Sequence, residues 1–166
     1  MNPTFDYTYL DHNATTYVDP VVLEAMLPYW GPKFANPSSI YDISQDVRTD
    51  LDQARTELMS LLGATTGKVV FTGGGSESDN LAIKGFAFAN QNKGKHIITS
   101  AIEHHAVGHT CEYLQKQGFD ISYIPVTTQG VVDLVAFEAA IRSDTILVSI
   151  MAANNEIGVL APLEEI

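Results

Sequence analysis

The sequence predicts an α/β fold, in which helices cover both faces of a mostly parallel sheet, and three observations favour it. Short runs of β-branched and aromatic residues alternate along the chain with longer runs of helical period. Turns rich in glycine or polar residues separate these runs. The sequence holds no internal repeat and no linker rich in glycine, serine or proline, so one pattern extends over all 166 residues.

The first part of the chain is predicted to be helical. Asp19 and the proline after it are typical of a helix N-cap and first helical residue, so a short helix is expected over residues 21–29, ending at Gly31. From Ser44 onward, apolar residues recur at every third or fourth position. This spacing predicts an amphipathic helix that ends at Gly63.

The rest of the chain alternates between predicted strands and helices. It begins with a strand over residues 68–72, three glycines and a helix over residues 76–90. Further strands are predicted over residues 96–104, 121–126 and 145–151, and further helices over residues 105–118 and 133–142. This alternation argues for parallel strands whose carboxyl ends gather the ligand. The glycine turn, a Glu-His-His segment and an Asn-Asn-Glu segment all follow such ends.

Composition and charge restrict the class of partner. Acidic residues outnumber basic ones by 20 to 9, giving a formal net charge of −11, which disfavours binding to nucleic acid or to an anionic membrane. The single cysteine, Cys111, cannot form an internal disulfide. The amino-terminal stretch lacks the basic start of a signal peptide, and no apolar run reaches the ~18 residues of a membrane span. A cytoplasmic protein that acts on a small substrate or a protein partner is therefore expected.

The segment FTGGGSESDN is a candidate phosphate cradle. Its three glycines let the backbone approach a ligand closely, and the helix after them offers unpaired N–H groups, the positive end of its dipole and the Ser76 hydroxyl. Alternatively, Ser76 is only an N-cap before an ordinary acidic first turn. No lysine follows as in a nucleoside-triphosphate loop. A dinucleotide motif fits poorly, because Ser78 stands where its third glycine belongs and Glu103 comes late for the ribose.

Glu103, His104 and His105 leave a predicted strand end and enter a helix. An imidazole at this place can stack on an aromatic ligand and move protons, because imidazole titrates near neutral pH. A capping or surface histidine is the alternative interpretation. Metal binding by His105 and His109, four residues apart, is geometrically possible but lacks an evident third ligand, so no metal site is predicted.

Two further polar segments are candidate site loops. In ANNEIGV, the adjacent amides of Asn154 and Asn155 can donate to a phenolate or carboxylate, although asparagine-rich turns also form for local reasons. In YLDHNATT, polar side chains from Asp11 to Thr16 either line a site or form a capped turn. Cys111 is predicted to be a small buried filler, because no basic group nearby would hold a thiolate.

Five segments occur in the order and spacing seen in cysteine desulfurases of the NifS/IscS type, and the sequence resembles that family from Tyr9 to Glu165. They are YLDHNATT, NPSS, FTGGGSESDN, IEHHAV and SIMAANNEIGV. The resemblance implies a class V aminotransferase-like enzyme with pyridoxal 5′-phosphate as cofactor. The fold it implies is the large domain of the fold-type-I enzymes, here truncated. We therefore expect one incomplete domain, with residues 1–18 on the substrate side and residues 19–166 as the first part of the cofactor-binding domain.

The resemblance also implies roles for individual residues. Gly75 and Ser76 would hold the cofactor phosphate, and Asn155 would hydrogen-bond the phenolic oxygen of the ring. His104 would stack on the pyridine ring and act as the catalytic residue that assists proton transfer. His105 beside it leaves open which ring stacks, and His104 is chosen by its place in the motif.

The implied reaction converts L-cysteine to L-alanine and passes the sulfur to an acceptor protein, as in iron–sulfur cluster or thio-cofactor assembly. Asn13, Ala14 and Thr15 would face the substrate, and members of the family are homodimers. A selenocysteine lyase or another class V enzyme is the alternative with the same fold. A non-catalytic interaction module is the alternative of another class.

The resemblance further implies that essential groups lie beyond Ile166. They are the Schiff-base lysine, the aspartate paired with the pyridinium nitrogen and the cysteine that takes the sulfur. Lys84, Lys116 and Cys111 stand on predicted helices that do not match these positions. We therefore expect the chain to be the front part of a longer protein and to be inactive alone.

Overall fold

The computed structural model describes residues 6–166. It divides the chain into two compact units, Met1–Phe71 and Thr72–Ile166. The boundary falls beside the glycine turn. The expected single incomplete domain with a separate segment over residues 1–18 stays a prediction, and residues 1–5 of that segment lie outside the described residues.

Among its described residues, the first unit contains two α-helices, as the sequence predicts. Helix α1 spans Pro20–Met26 and runs into a 3₁₀ turn at Leu27–Trp30, and helix α2 spans Asp42–Leu61. The Asp19 carboxylate accepts a hydrogen bond from the Val21 amide at 2.8 Å, which caps α1. After α2, Gly63 adopts a left-handed φ of 63°, a conformation that ends helices and favours glycine.

The predicted strand over residues 68–72 is wrong. In the structure this segment forms no strand, and Val70 and Phe71 are 64% and 46% exposed. A β-branched run becomes a strand only when a neighbouring strand shares its backbone hydrogen bonds. No described strand pairs with this segment. The residue pattern indicates strand preference, but pairing depends on a partner elsewhere in the chain.

The second unit has the predicted alternation of helices and strands. Its elements are α3 (Gly75–Asn90), β1 (His96–Ser100), α4 (His105–Lys116), β2 (Asp120–Ile124), α5 (Leu134–Ala140) and β3 (Thr145–Ser149). The three strands form a parallel sheet in the order β2–β1–β3, with β1 in the centre. The parallel α/β prediction is therefore confirmed.

Helices cover both faces of this sheet. Ile97 of β1 is fully buried and packs on one face with Ala87 of α3 and with Cys111 and Leu114 of α4, which are also fully buried. Ile98, the next residue of β1, is fully buried on the other face beside Phe137 of α5. Because successive side chains of a strand point to opposite faces, two adjacent isoleucines serve two separate cores.

At the start of β1, a fully buried histidine joins all three strands. The Nδ1 atom of His96 lies 2.7 Å from the Thr145 hydroxyl and its Nε2 atom lies 2.8 Å from the Ser122 hydroxyl. The Thr145 hydroxyl also accepts the Arg142 amide at 2.9 Å, so it joins the histidine to the turn before β3. Burial lowers the pKa of His96, assisted by the positive charge of Arg142, and this keeps the imidazole neutral.

Candidate functional site

The glycine turn leads into α3 through a helix start without a side-chain cap. Gly74 is the N-cap residue and supplies no capping side chain to the first-turn amides. Ser76 is exposed and stands inside the first turn, so the alternative that Ser76 is the N-cap is wrong. The Gly73 amide, in contrast, donates to the Glu77 carboxylate at 2.7 Å. The first-turn amides of α3, which include those of Gly75 and Ser76, receive no hydrogen bond from an N-cap side chain.

A second contact closes the same turn. The hydroxyls of Thr72 and Ser78 lie 2.6 Å apart, and the Thr72 hydroxyl also donates to the Gly74 carbonyl at 3.1 Å. Since a hydroxyl has one hydrogen to donate, Ser78 is the donor to Thr72. Both hydroxyls are thus used within the turn, and Ser76 is the hydroxyl that remains available for a ligand.

His104 caps helix α4. Its Nδ1 atom accepts a hydrogen bond from the Ala106 amide at 3.0 Å, so the capping alternative raised from the sequence is confirmed. An accepting Nδ1 assigns the ring hydrogen of the neutral form to Nε2. The ring is nevertheless exposed. His104 therefore caps the helix through one nitrogen while its ring face and its Nε2–H stay accessible.

The neighbouring histidines face one another on α4. The rings of His105 and His109 are stacked, with centroids 5.3 Å apart and an interplanar angle of 21°. Both side chains are exposed. Over residues 6–166 no group of three or more histidine, cysteine or acidic side chains is arranged to hold a metal ion.

The two asparagines that follow β3 differ in their surroundings. Asn154 is 8% exposed, and its Oδ1 atom accepts the amides of Glu156 and Ile157 at 2.9 and 3.0 Å. The local explanation for an asparagine-rich turn therefore holds for Asn154. Asn155 is exposed, and its Nδ2 atom donates to the neighbouring Glu156 carboxylate at 3.2 Å. Its carboxamide can turn toward a ligand.

Sequence reasoning named Glu103 and Asn154 but missed that their side chains join the loops after β1 and β3. The Oε1 atom of Glu103 accepts hydrogen bonds from the Ser100 hydroxyl at 2.7 Å and from the Met151 amide at 2.8 Å. The Nδ2 atom of Asn154 donates to the Ile102 carbonyl at 2.9 Å. Glu103 is thus committed to these loops, which argues against its use as the ribose ligand of a dinucleotide site. The signal available in the sequence was that Glu103 directly precedes His104 and that Asn154 directly precedes Asn155.

The connectivity places the three candidate segments at one edge of the sheet. In a parallel sheet, a helix that leads into a strand begins at the edge where the strands end. Helix α3 leads into β1 and packs against α4 and β3. Its first turn, with Ser76, therefore belongs to the same edge as His104 after β1 and Asn155 after β3.

The predicted substrate loop lies in the first unit and forms a capped turn. The Ala14 amide donates to the carbonyl and to the carboxylate of Asp11 at 3.1 and 3.3 Å. Asn13, Ala14 and Thr15 are exposed. A cavity of about 270 Å³ adjoins this turn, lined by Tyr7, Tyr9, His12, Thr15, Thr16 and Tyr17. The role of Asn13, Ala14 and Thr15 toward a substrate stays a prediction.

Cys111 is buried inside the second unit, as predicted for a filler. Burial and the negative charge of Glu103 raise the pKa of the Cys111 thiol to about 11, so the thiol is protonated at neutral pH. The ammonium of Lys84 lies 4.5 Å from the ring centroid of Tyr113. Lys116 is the last residue of α4.

Comparison with known proteins identifies relatives along almost the whole chain. Residues 8–166 match the family described as aminotransferase class-V. Curated proteins named cysteine desulfurase IscS from Methanosarcina thermophila and from Dictyoglomus turgidum are 55% and 51% identical over 158 residues. Each alignment covers 95% of this chain but 39% and 40% of the relative. The chain thus spans about two fifths of the length of these relatives.

Solved structures with the same fold include two close matches. One is described as a NifS-like protein and superposes with a TM-score of 0.89 at 40% identity, covering 93% of this chain and 43% of that one. The other is described as SspA in complex with cysteine and superposes with a TM-score of 0.89 at 41% identity, covering 96% and 46%. The expected fold, the first part of a fold-type-I domain, is confirmed. In the part of the chain that the structure describes, no helix is long and apolar enough to cross a membrane.

Proposed function

The chain belongs to the class V aminotransferase family, and from that premise we propose that it is the amino-terminal part of a pyridoxal-phosphate-dependent cysteine desulfurase. One observation carries the proposal: three different kinds of ligand group occur at the same sheet edge. They are the uncapped first turn of α3, the exposed ring of His104 and the exposed carboxamide of Asn155. Of these groups, the His104 side chain also caps helix α4, but only through its Nδ1 atom.

The chemistry of this donor set fits pyridoxal 5′-phosphate. A phosphate requires backbone amides and a hydroxyl, which Gly75 and Ser76 would supply at the positive end of a 16-residue helix. A flat heteroaromatic ring requires a flat partner, which His104 would supply, and a phenolate requires an N–H donor, which Asn155 would supply. When bound, the cofactor supplies an electron sink for carbon–sulfur bond cleavage in the substrate.

His104 also has the geometry of a proton carrier. Its Nδ1 atom is used by the Ala106 amide, so Nε2 is the atom at which a proton would be held or moved. The capping bond fixes the ring relative to α4, which orients Nε2 toward one direction. The same side chain would therefore position the ring of the cofactor and assist proton transfer.

The remaining functional assignments concern the complete protein. We propose L-cysteine as the substrate, with Asn13, Ala14 and Thr15 facing it, and a protein as the sulfur acceptor. A homodimer in the cytoplasm that serves iron–sulfur cluster assembly is the corresponding biological setting. The names of the curated relatives and the structure described with bound cysteine support this substrate.

A turnover assay tests the proposal. The complete gene product, purified with pyridoxal 5′-phosphate, is expected to release sulfide from L-cysteine in the presence of a reductant. The 166 residues alone are expected to release none. Absence of sulfide from the complete product, with L-selenocysteine turned over instead, would replace the desulfurase by a selenocysteine lyase.

The Ser76→Ala substitution tests the phosphate cradle. Loss of one charge-assisted hydrogen bond is expected to weaken pyridoxal phosphate binding by the complete protein about tenfold or more, as measured by cofactor titration. Ser60, an exposed serine of α2, provides the matched control, and Ser60→Ala is expected to leave the affinity unchanged. Equal affinities for the two variants would remove Ser76 from the cradle.

A further inference from the structure

We propose that Glu103 and Asn154 form a clasp between the loops after β1 and β3 and act as positioning residues for His104 and Asn155, a role that rests on the function proposed above. Each clasp residue directly precedes the residue that it would position. The two loops that carry different contacts to one ligand would thus be held at a fixed separation.

The clasp is reciprocal. The Glu103 side chain, from the first loop, accepts the backbone amide of Met151 in the second loop at 2.8 Å. The Asn154 side chain, from the second loop, donates to the backbone carbonyl of Ile102 in the first loop at 2.9 Å. Each loop therefore contributes one side chain and receives one from the other loop.

These two hydrogen bonds link the chain segments that follow β1 and β3, beyond the last backbone pair of the two strands. The ladder between β1 and β3 ends at the pair Thr99 and Ser149. Past that pair, the hydrogen bonds that join segments 101–104 and 150–157 of the described chain both use a clasp side chain. Without them, the loops that carry the candidate ligand groups would be connected only through the strands below.

Each clasp side chain is also fixed within its own loop. Glu103 receives a second bond at the same oxygen from the buried Ser100 hydroxyl, at 2.7 Å. Asn154 closes its own turn through the amides of Glu156 and Ile157. Consecutive residues are joined by a planar peptide unit of fixed length. Holding Glu103 and Asn154 in place therefore restricts where His104 and Asn155 can lie.

The experiment compares Glu103→Ala, Glu103→Gln and Asn154→Asp in the complete protein. Glutamine keeps an accepting oxygen, so Glu103→Gln is expected to behave like the unmodified protein, while Glu103→Ala removes the bond. Aspartate keeps the oxygens that close the turn but removes the Nδ2 donor to Ile102. Glu112, an exposed residue of α4, provides the control Glu112→Ala.

Two readouts are measured. Affinity for pyridoxal 5′-phosphate is expected to fall about tenfold in Glu103→Ala and in Asn154→Asp, and to stay unchanged in the two other variants. Hydrogen exchange of the Met151 amide, measured without cofactor, is expected to accelerate about tenfold or more in Glu103→Ala alone. Unchanged exchange at the buried Ile97 and Leu114 amides would show that the fold is intact.

The outcomes separate the clasp from the proposed function. Unmodified protein that fails to bind pyridoxal phosphate would overturn the proposed function, and Met151 exchange would then decide the clasp. If Met151 exchange and cofactor affinity are the same in Glu103→Ala and Glu103→Gln, the clasp is wrong. If Glu103→Ala does not fold, a normal affinity in Asn154→Asp would overturn the clasp and a tenfold loss would support it.

Discussion

Two histidines lie at the two ends of the central strand, and their surroundings differ completely. His96, at the start of β1, is fully buried, and both of its ring nitrogens are hydrogen-bonded to hydroxyls of the neighbouring strands. His104, just after β1, is exposed, and one of its nitrogens caps a helix while Nε2 has no hydrogen-bond partner among the described residues.

The difference shows what distinguishes a structural histidine from a candidate functional one. A histidine whose nitrogens are both satisfied inside the protein has no capacity left for a ligand. A histidine fixed through one nitrogen keeps an oriented ring and one polar atom for other use. Among the described residues, the same residue type therefore has no free ring nitrogen at one edge of the sheet and one free ring nitrogen at the other.

The largest expected effect on stability follows from His96→Ala in the complete protein. The substitution creates a cavity and leaves the Ser122 and Thr145 hydroxyls without their partner, so the free energy of unfolding is expected to fall by about 3 kcal/mol. Urea denaturation measures this loss. A change below about 0.5 kcal/mol would mean that the three-strand bridge contributes little.

At the other edge, His104→Asn is expected to affect turnover instead. Asparagine is a good N-cap, so stability is expected to be retained, while loss of the ring is expected to lower sulfide release by the complete protein about 100-fold. His105→Asn is the matched control and is expected to retain turnover. A loss of activity in His105→Asn and not in His104→Asn would assign the stacking ring to His105.

The comparison also predicts a difference in pH dependence. Because burial lowers the pKa of His96 in the folded protein, protons bind the unfolded state more readily. The stabilisation from neutral His96 is therefore complete above the ordinary histidine pKa of about 6.5 and is lost as the pH falls below it.

Denaturation curves between pH 7.5 and 5 measure this dependence. His96 is expected to change the free energy of unfolding by at most about 1.4 kcal/mol per pH unit. It is expected to disappear in His96→Gln, whose side chain does not titrate. An identical pH dependence in His96→Gln and in the unmodified protein would assign the proton uptake to other groups.

The smallest effect is expected for the buried thiol between these edges. Cys111→Ala removes one buried sulfur and is expected to cost about 1 kcal/mol of stability. Sulfide release by the complete protein is expected to be unchanged, because the thiol is protonated and inaccessible. Loss of turnover in Cys111→Ala would identify this residue as a sulfur carrier and contradict its interpretation as a filler.

Local sequence patterns predicted most of the second unit but none of its cross-connections. The alternation of short strand-like runs with longer helix-like runs located helices α3 and α4, since helix formation depends on residues within a few turns. The segment over residues 68–72 failed because a strand needs a partner that is distant in sequence. His96 was not singled out for the same reason: its partners stand 26 and 49 residues away.

The candidate site shows the same division. The segments that hold Ser76, His104 and Asn155 were singled out from their residue types, and the resemblance to a known family implied the role of each residue. The roles of Glu103 and Asn154 became visible only when the loops after β1 and β3 were seen side by side, because each bonds to the backbone of a different loop. Motifs identify side chains that meet a ligand more readily than those that support them, since the supporting bonds carry no local spacing.

The adjacent pair Ile97 and Ile98 restricts the central strand β1 to a single register in the sheet. A slip of β1 by one residue would exchange the two side chains between the helical layers and turn every neighbouring side chain to the opposite face. The same slip would withdraw the His96 imidazole from its hydroxyl partners at one end and shift Glu103 away from Met151 at the other. The strand is in this way held against sliding along its whole length, and both edges of the sheet keep their spacing together.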